Sequence, residues 1–202
     1  MGLGRTYGVG LIGLTGRIVE VEADIGQSLP AFILLGLPDA SLNESRDRVK
    51  SAAKNAGLPL SRRKITVNLM PADVHKRGSG FDLAIVMAAL AAAGDVRRTG
   101  RTVFLAELGL DGRLRPLRGV LPSVMAAVEA GYPDIAVAAA NAAEAALVPG
   151  ARVRGFASLA AVAQAFGARP DSLVFPAEEP SPGSQDTESG AAAPAGHDLA
   201  DI

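Results

Sequence analysis

The stretch Arg17–Ile25, RIVEVEADI, alternates apolar and acidic residues, and this pattern constrains the fold more than any other feature of the chain. Val19, Glu20, Val21 and Glu22 fix a β-strand with one buried and one wet face, because successive side chains leave a strand on opposite sides. Two further runs rich in β-formers, Tyr7–Ile12 and Pro30–Leu35, flank it, with glycines at 10, 13, 16, 26 and 36 as turn signals. A β-meander is expected. The period then changes. Ser41-Leu-Asn-Glu44 has the form of a capping box, and Leu42, Val49, Ala52, Ala53 and Ala56 supply one helical face that Gly57 ends. Strands follow at Ile65–Met70, Val103–Leu108, Leu114, Ile135–Ala138 and Arg152–Phe156. Helices are expected near 80–93, 120–130 and 141–147, with a capped one over Ser158–Phe166. An antiparallel start followed by β-α-β alternation indicates the α/β class, an α+β sandwich.

The chain is 49% hydrophobic and 20% charged, enough apolar material for a core. It has no Cys and two His, which excludes disulfides, thiolate chemistry and thiolate zinc sites. The net charge of -1 hides two unlike parts. All twenty Lys and Arg lie at or before Arg169, against fourteen acids, so this body carries +6. Asp171, Glu178, Glu179, Asp186, Glu188, Asp198 and Asp201 make the remainder about −7. A body at +6 leaves nucleic acid open as a partner. The expected division is a domain over 1–169 and a flexible acidic linker over 170–202, since 177–196 hold almost no large apolar residue. No leader peptide is visible and the apolar run 83–93 is too short to span a bilayer, so no membrane partner and a cytoplasmic location are expected.

The chain contains no G-x-x-x-x-G-K-[ST] loop, so neither ATP nor any other cofactor is expected on these residues. Gly2-Leu-Gly4 and Gly8-Val-Gly10 lack the dinucleotide pattern and are expected to serve turns. Asp73 and His75 follow the strand at 65–70, where an Asp turn explains them, and Asp82 suits the positive end of a helix dipole. Ser79, between two glycines before a helix, is either a helix cap or a nucleophile near backbone N–H groups. Arg46, Lys50 and Lys54 recur at i, i+4 and i+8 as one stripe. With Arg62, Arg63, Lys64, Lys76 and Arg77 they could follow a phosphate backbone, or form a solvated or inter-subunit face. Arg97-Arg98 and Arg113, Arg115 and Arg118 add charge. Aromatic residues are 4% and Trp is absent, so no stacking platform for single strands is present.

Several segments together resemble one family: IGLTGRIVEVEA (12–23), FILLGLPDA (32–40), ESRDRV (44–49), ITVNLMPAD (65–73), GFDL (80–83), ELGLDG (107–112), LRPLRGVLP (114–122) and NAAEAALV (141–148). In this order, across residues 7–167, they are similar to the N-terminal domain of YifB/ComM proteins, magnesium-chelatase-like AAA+ ATPases. The resemblance implies a Lon-protease-like fold, related to the second domain of a small-subunit ribosomal protein. It implies an AAA+ module beyond these residues that binds ATP and Mg2+, and a hexameric DNA helicase promoting branch migration in natural transformation. Asp198–Ile202 resembles the opening of that module. In the Lon comparison Ser79 falls on the nucleophile position, but Leu121 stands where the lysine base belongs. Only Lys76 or Lys64, if brought within reach, would restore a dyad. The resemblance thus implies a non-catalytic domain for assembly or DNA positioning, with a divergent serine peptidase using Ser79 as the rival.

Overall fold

The computed structural model describes residues 2–71, 78–97 and 99–177, apart from the side chains of Asp39, Ala40 and Leu42. Within them the chain forms β1 (Leu3–Ile12), β2 (Thr15–Gly26), β3 (Ala31–Leu35), α1 (Asp39–Asn55), β4 (Lys64–Met70), α2 (Asp82–Ala93), β5 (Val103–Leu105), β6 (Glu107–Leu108), β7 (Leu114–Arg115), α3 (Val120–Glu129), β8 (Asp134–Ala138), α4 (Ala142–Ala145), β9 (Arg152–Phe156) and α5 (Leu159–Ala165). The expected mixed α/β class is what the chain adopts. Seven strands build one sheet in the order β3-β4-β2-β1-β5-β8-β9, and β6 pairs with β7 apart from it. None of the described helices is long and apolar enough to cross a membrane.

The alternation of β2 does what its sequence requires. Val19, Val21 and Ala23 are fully buried, while Glu20 and Glu22 are partly exposed on the other face. The meander, however, stops after two strands. β1 and β2 form an antiparallel hairpin, but β4 lies antiparallel beside β2 and pushes β3 to the edge, where β3 runs parallel to β4. The burial explains the exchange. Ile65, Val67 and Leu69 of β4 are at most 1% exposed, whereas β3 leaves Ala31, Ile33 and Leu35 exposed. The longer and more regularly alternating strand takes the interior place.

One sheet face packs β2 and β4 against α1, α2 and α5. On the other, Val9, Val103, Leu105, Ile135 and Val137 pack on α3 and α4. Ten of the twelve residues of α2 are buried, as expected of a helix apolar on all sides. The glycines of β1 make room for it. A Cβ on Gly8 would stand 2.8 Å from the Phe81 ring, and one on Gly4 would strike the Ala88 carbonyl. Gly2, Gly4, Gly8 and Gly10 thus lie in or beside a strand that seats α2, and are not the turns their spacing suggested. Thr6 adds a buried hydrogen bond, donating from its hydroxyl to the Ala84 carbonyl at 2.7 Å.

Two helix starts differ from expectation. α1 begins at Asp39 with Pro38 as its cap and no side-chain cap bond, so the Ser41–Glu44 box does not form. Pro38 presets its own φ at −58° and accepts from the Ser41 N–H at 2.9 Å, placing Ser41 inside the first turn. α2 is preceded by a short 3₁₀ turn over Gly78–Phe81, and its cap position is Phe81 with no side-chain bond, so Ser79 is not the helix cap. α5 is capped as expected, with Ser158 accepting from the Ala161 N–H at 3.2 Å. The strand expected over Val103–Leu108 breaks at Ala106, whose carbonyl accepts from the Leu83 N–H at 3.3 Å. At the C-terminal end packing runs past residue 169: Leu173 lies against the core and Val174 N–H donates to the Ala56 carbonyl at 3.0 Å.

Candidate functional site

Helix α2 carries a distinct site at each end. At its N-terminal end Asp82 is fully buried and takes the charged partner that burial demands. Its carboxylate accepts from Arg48 Nε at 2.6 Å, from the Ser45 hydroxyl at 2.8 Å and from the Leu108 N–H at 3.4 Å. Burial pushes this carboxyl above the usual carboxylate range, and the Arg48 bond is the main pull the other way. The same bond raises the Arg48 guanidinium. The role expected for Asp82 was a helix dipole partner; the structure makes it the junction of α1, α2 and β6. A second clamp is made by Asn141, whose amide accepts from Leu117 N–H at 2.7 Å and donates to the Leu117 carbonyl at 3.1 Å. Segments that seemed separate in the sequence are therefore halves of two locks: 44–49 with 80–83, and 114–122 with 141–148.

Between these locks lies a cleft of about 550 Å3 lined by Ser79, Phe81, Glu107, Leu117, Arg118 and Ser123, among others. The Ser123 hydroxyl is occupied, donating to the Gly119 carbonyl at 2.8 Å. Leu121 lines a different, apolar groove with Met125, Val128, Leu147, Val148 and Pro149. Of the described lysines, Lys50 and Lys54 sit on α1 and Lys64 on β4, and none lines the Ser79 cleft. Lys76, Arg77, Asp73, His75, Arg98 and the acidic residues from Glu178 onward lie outside the described residues.

The expected basic set is distributed over several surfaces. Arg46, Lys50 and Lys54 lie on α1, where Lys50 and Lys54 are exposed and Arg46 reaches Asp47 at 3.4 Å. Lys64 begins β4 opposite Gly26, on the sheet face away from buried Ile65. Arg62 and Arg63 instead line a cleft of about 760 Å3 beyond the C-terminal end of α2, together with Arg97, Arg169 and Asp95. In the sequence Arg97 reads only as added charge and Arg169 as the end of the expected domain. Nothing local connects residues 62, 97 and 169; only the sheet order brings them together. Among the described residues no group of three or more His, Cys, Asp or Glu could hold a metal ion. The chain contains no G-x-x-x-x-G-K-[ST] phosphate-binding loop.

Comparison with known proteins fits this architecture. The family model described as subunit ChlI of Mg-chelatase matches residues 21–141, from β2 to the Asn141 clamp. The chain belongs to this Mg-chelatase-like family. Over 161 residues it is 48% identical to an uncharacterized protein of Mycobacterium tuberculosis, covering 79% of this chain and 32% of the relative. It is 39% identical over 150 residues to the competence protein ComM of Haemophilus influenzae, covering 73% and 29%. It is 37% identical over 141 residues to the uncharacterized protein YifB of Escherichia coli, covering 69% and 28%. These names bear out membership with YifB and ComM within the family. The chain spans about a third of the length of these relatives.

Proposed function

We propose that this Mg-chelatase-family domain is a non-catalytic positioning domain that holds nucleic acid for a longer ComM/YifB-like ATPase. In this reading the whole protein is a hexameric DNA helicase that promotes branch migration in recombination or natural transformation, and ATP with Mg2+ binds outside these residues. The chain would then act in the cytoplasm, where such DNA is found.

The observation that carries the reading is the pairing pattern of charge. Glu20 and Glu22 are paired with Arg5, Asp82 with Arg48, Asp111 with Arg113 and Asp134 with Arg152. Lys50, Lys54, Arg62, Arg97 and Arg169 carry no such pair among the described residues. Asp24, Asp95, Glu107, Glu129, Glu144 and Asp171 carry none either, but among the described residues unpaired cations outnumber unpaired acids, an excess that suits a polyanion binder. Salt-titrated binding of duplex and single-stranded DNA to the 202-residue chain tests it. Changing Arg46, Lys50 and Lys54 together to Glu is expected to weaken binding by about tenfold or more and to flatten its salt dependence. Unaltered binding would leave the α1 stripe as a solvated face.

The apolar groove favours a second role, in assembly. Met125 is 47% and Leu147 72% exposed beside Leu121. Met125→Glu should lower the oligomer size in sedimentation if this groove joins subunits. The rival peptidase reading needs a base for Ser79, and among the described residues the charged groups lining the cleft are Glu107 and Arg118. A serine-directed phosphonate that labels Ser79 would establish that rival.

A further inference from the structure

We infer that the arginine cleft beyond the C-terminal end of α2 binds the phosphodiester backbone of nucleic acid, with Arg62, Arg63, Arg97 and Arg169 as the phosphate contacts. This rests on the positioning reading above and narrows it to one place, of which only Arg62 and Arg63 belong to the basic set marked in the sequence. Three separate segments supply the arginines: the connection from α1 to β4, the turn after α2 and the turn after α5. Among the described residues four arginines and one acid, Asp95, line the cleft. Like charges gathered around one cavity repel each other, so folding alone gives no reason to collect them.

The plainest structural explanation is that arginines offset helix dipoles. Three helices do end here, with Gly57, Gly94 and Gly167 all lining the cleft. At about half a negative charge per helix end, these and Asp95 sum to roughly −2.5 against four positive charges. A surplus of roughly +1.5 remains. Only Arg63 uses a carbonyl of such an end, donating from Nη1 to Ala93 O at a long 3.4 Å. Arg62, Arg97 and Arg169 have no side-chain hydrogen bond or ion pair among the described residues.

The chemistry selects the ligand. Guanidinium forks match phosphate oxygens two at a time, which an ammonium does not. A volume of about 760 Å3 is far larger than one inorganic phosphate needs, and suits a run of linked phosphates. Among the described residues no aromatic side chain and no Asn or Gln lines the cleft, so nothing there stacks flat on a base or pairs with adenine, and the gathered cations favour the phosphates. The site holds the strand without reading its sequence.

The test compares the wild-type 202-residue chain with Arg97→Ala/Arg169→Ala and Arg97→Lys/Arg169→Lys, measuring anisotropy of a labelled duplex across a salt series. The alanine pair should weaken binding about tenfold or more and reduce the slope of log affinity against log salt by about 2, near 0.9 for each lost contact. The lysine pair should keep most of the slope, because the charges remain. On the wild-type protein, DNA should protect Arg97 and Arg169 from phenylglyoxal, which needs no variant to fold. If the alanine pair binds like wild type and both arginines stay reactive, while the Arg46/Lys50/Lys54 charge reversal still weakens binding, the cleft is wrong and the positioning reading stands. If the wild type binds no DNA at low salt, both fall. Binding of poly-glutamate in preference to DNA, with the same two arginines protected, would make this an acidic-peptide site and overturn the proposal.

Discussion

The two ends of α2, about 18 Å apart for twelve residues, treat charge in opposite ways. At the N-terminal end one buried carboxylate is matched by one guanidinium, one hydroxyl and one backbone N–H, so its hydrogen-bonding capacity is spent on folding. At the C-terminal end four arginines line a cleft with one acid, Asp95, and among the described residues only the Arg63 guanidinium of these four makes a hydrogen bond, to the Ala93 carbonyl. The same helix therefore separates charge that holds the domain together from charge that can hold a partner. Burial is what makes the difference: a charge out of water must be paired at once, and an exposed one need not be.

The largest expected effect is at the N-terminal end. Arg48→Met leaves Asp82 buried without its counter-ion and should cost about 3–5 kcal/mol of stability in urea unfolding. Arg97→Ala, at the other end, should change stability by no more than about 0.5 kcal/mol. Equal losses at both ends would erase the contrast between folding charge and binding charge. Replacing both partners, Arg48→Met with Asp82→Leu, should recover most of the loss, since a buried pair seldom outdoes apolar packing.

A smaller effect separates the two ends by packing. Gly8→Ala places a methyl 2.8 Å from the Phe81 ring at the N-terminal end of α2 and should cost about 1–3 kcal/mol through overpacking. Gly94→Ala, at the C-terminal end, meets nothing within 4 Å, although its φ of +81° strains an alanine by about 1–2 kcal/mol. Thermal melts of the two variants would sharpen the comparison if Gly8→Ala also lowers the Arg48–Asp82 contribution.

The smallest effect is in pH. Burial holds the Asp82 carboxyl above its ordinary range, so folding takes up a proton between the ordinary and the raised value. Its contribution to stability is greatest in acid and is lost as the pH climbs through that window. The stability gap between wild type and Asp82→Asn should therefore shift against the wild type from mildly acidic to neutral pH. A shift in favour of the wild type would mean that Arg48 outweighs burial.

Much of this was legible in the chain, and the failures have physical causes. β2 could be placed because its alternation is local. The exchange of β3 and β4 could not, because strand order depends on which strand buries more once α1 has turned the chain back. Ser41 and Glu44 match a capping box, yet the helix is capped three residues earlier, at Pro38. The glycines of β1 were visible but not their purpose, since what they accommodate, α2, lies some eighty residues away. Ser79 could be aligned with a nucleophile position, but the sequence did not show that Leu121 faces another groove. Arg62 and Arg63 stood out as a basic run. Arg97 and Arg169 join them only through the fold, so no spacing rule could have found the cleft.

The salt dependence of DNA affinity for the wild-type chain tests the central claim most directly. Four arginine contacts predict that log affinity falls with log salt at a slope of about −3 to −4 on duplex DNA, with little dependence on its sequence. A slope near zero, or no measurable binding at low salt, would contradict the account.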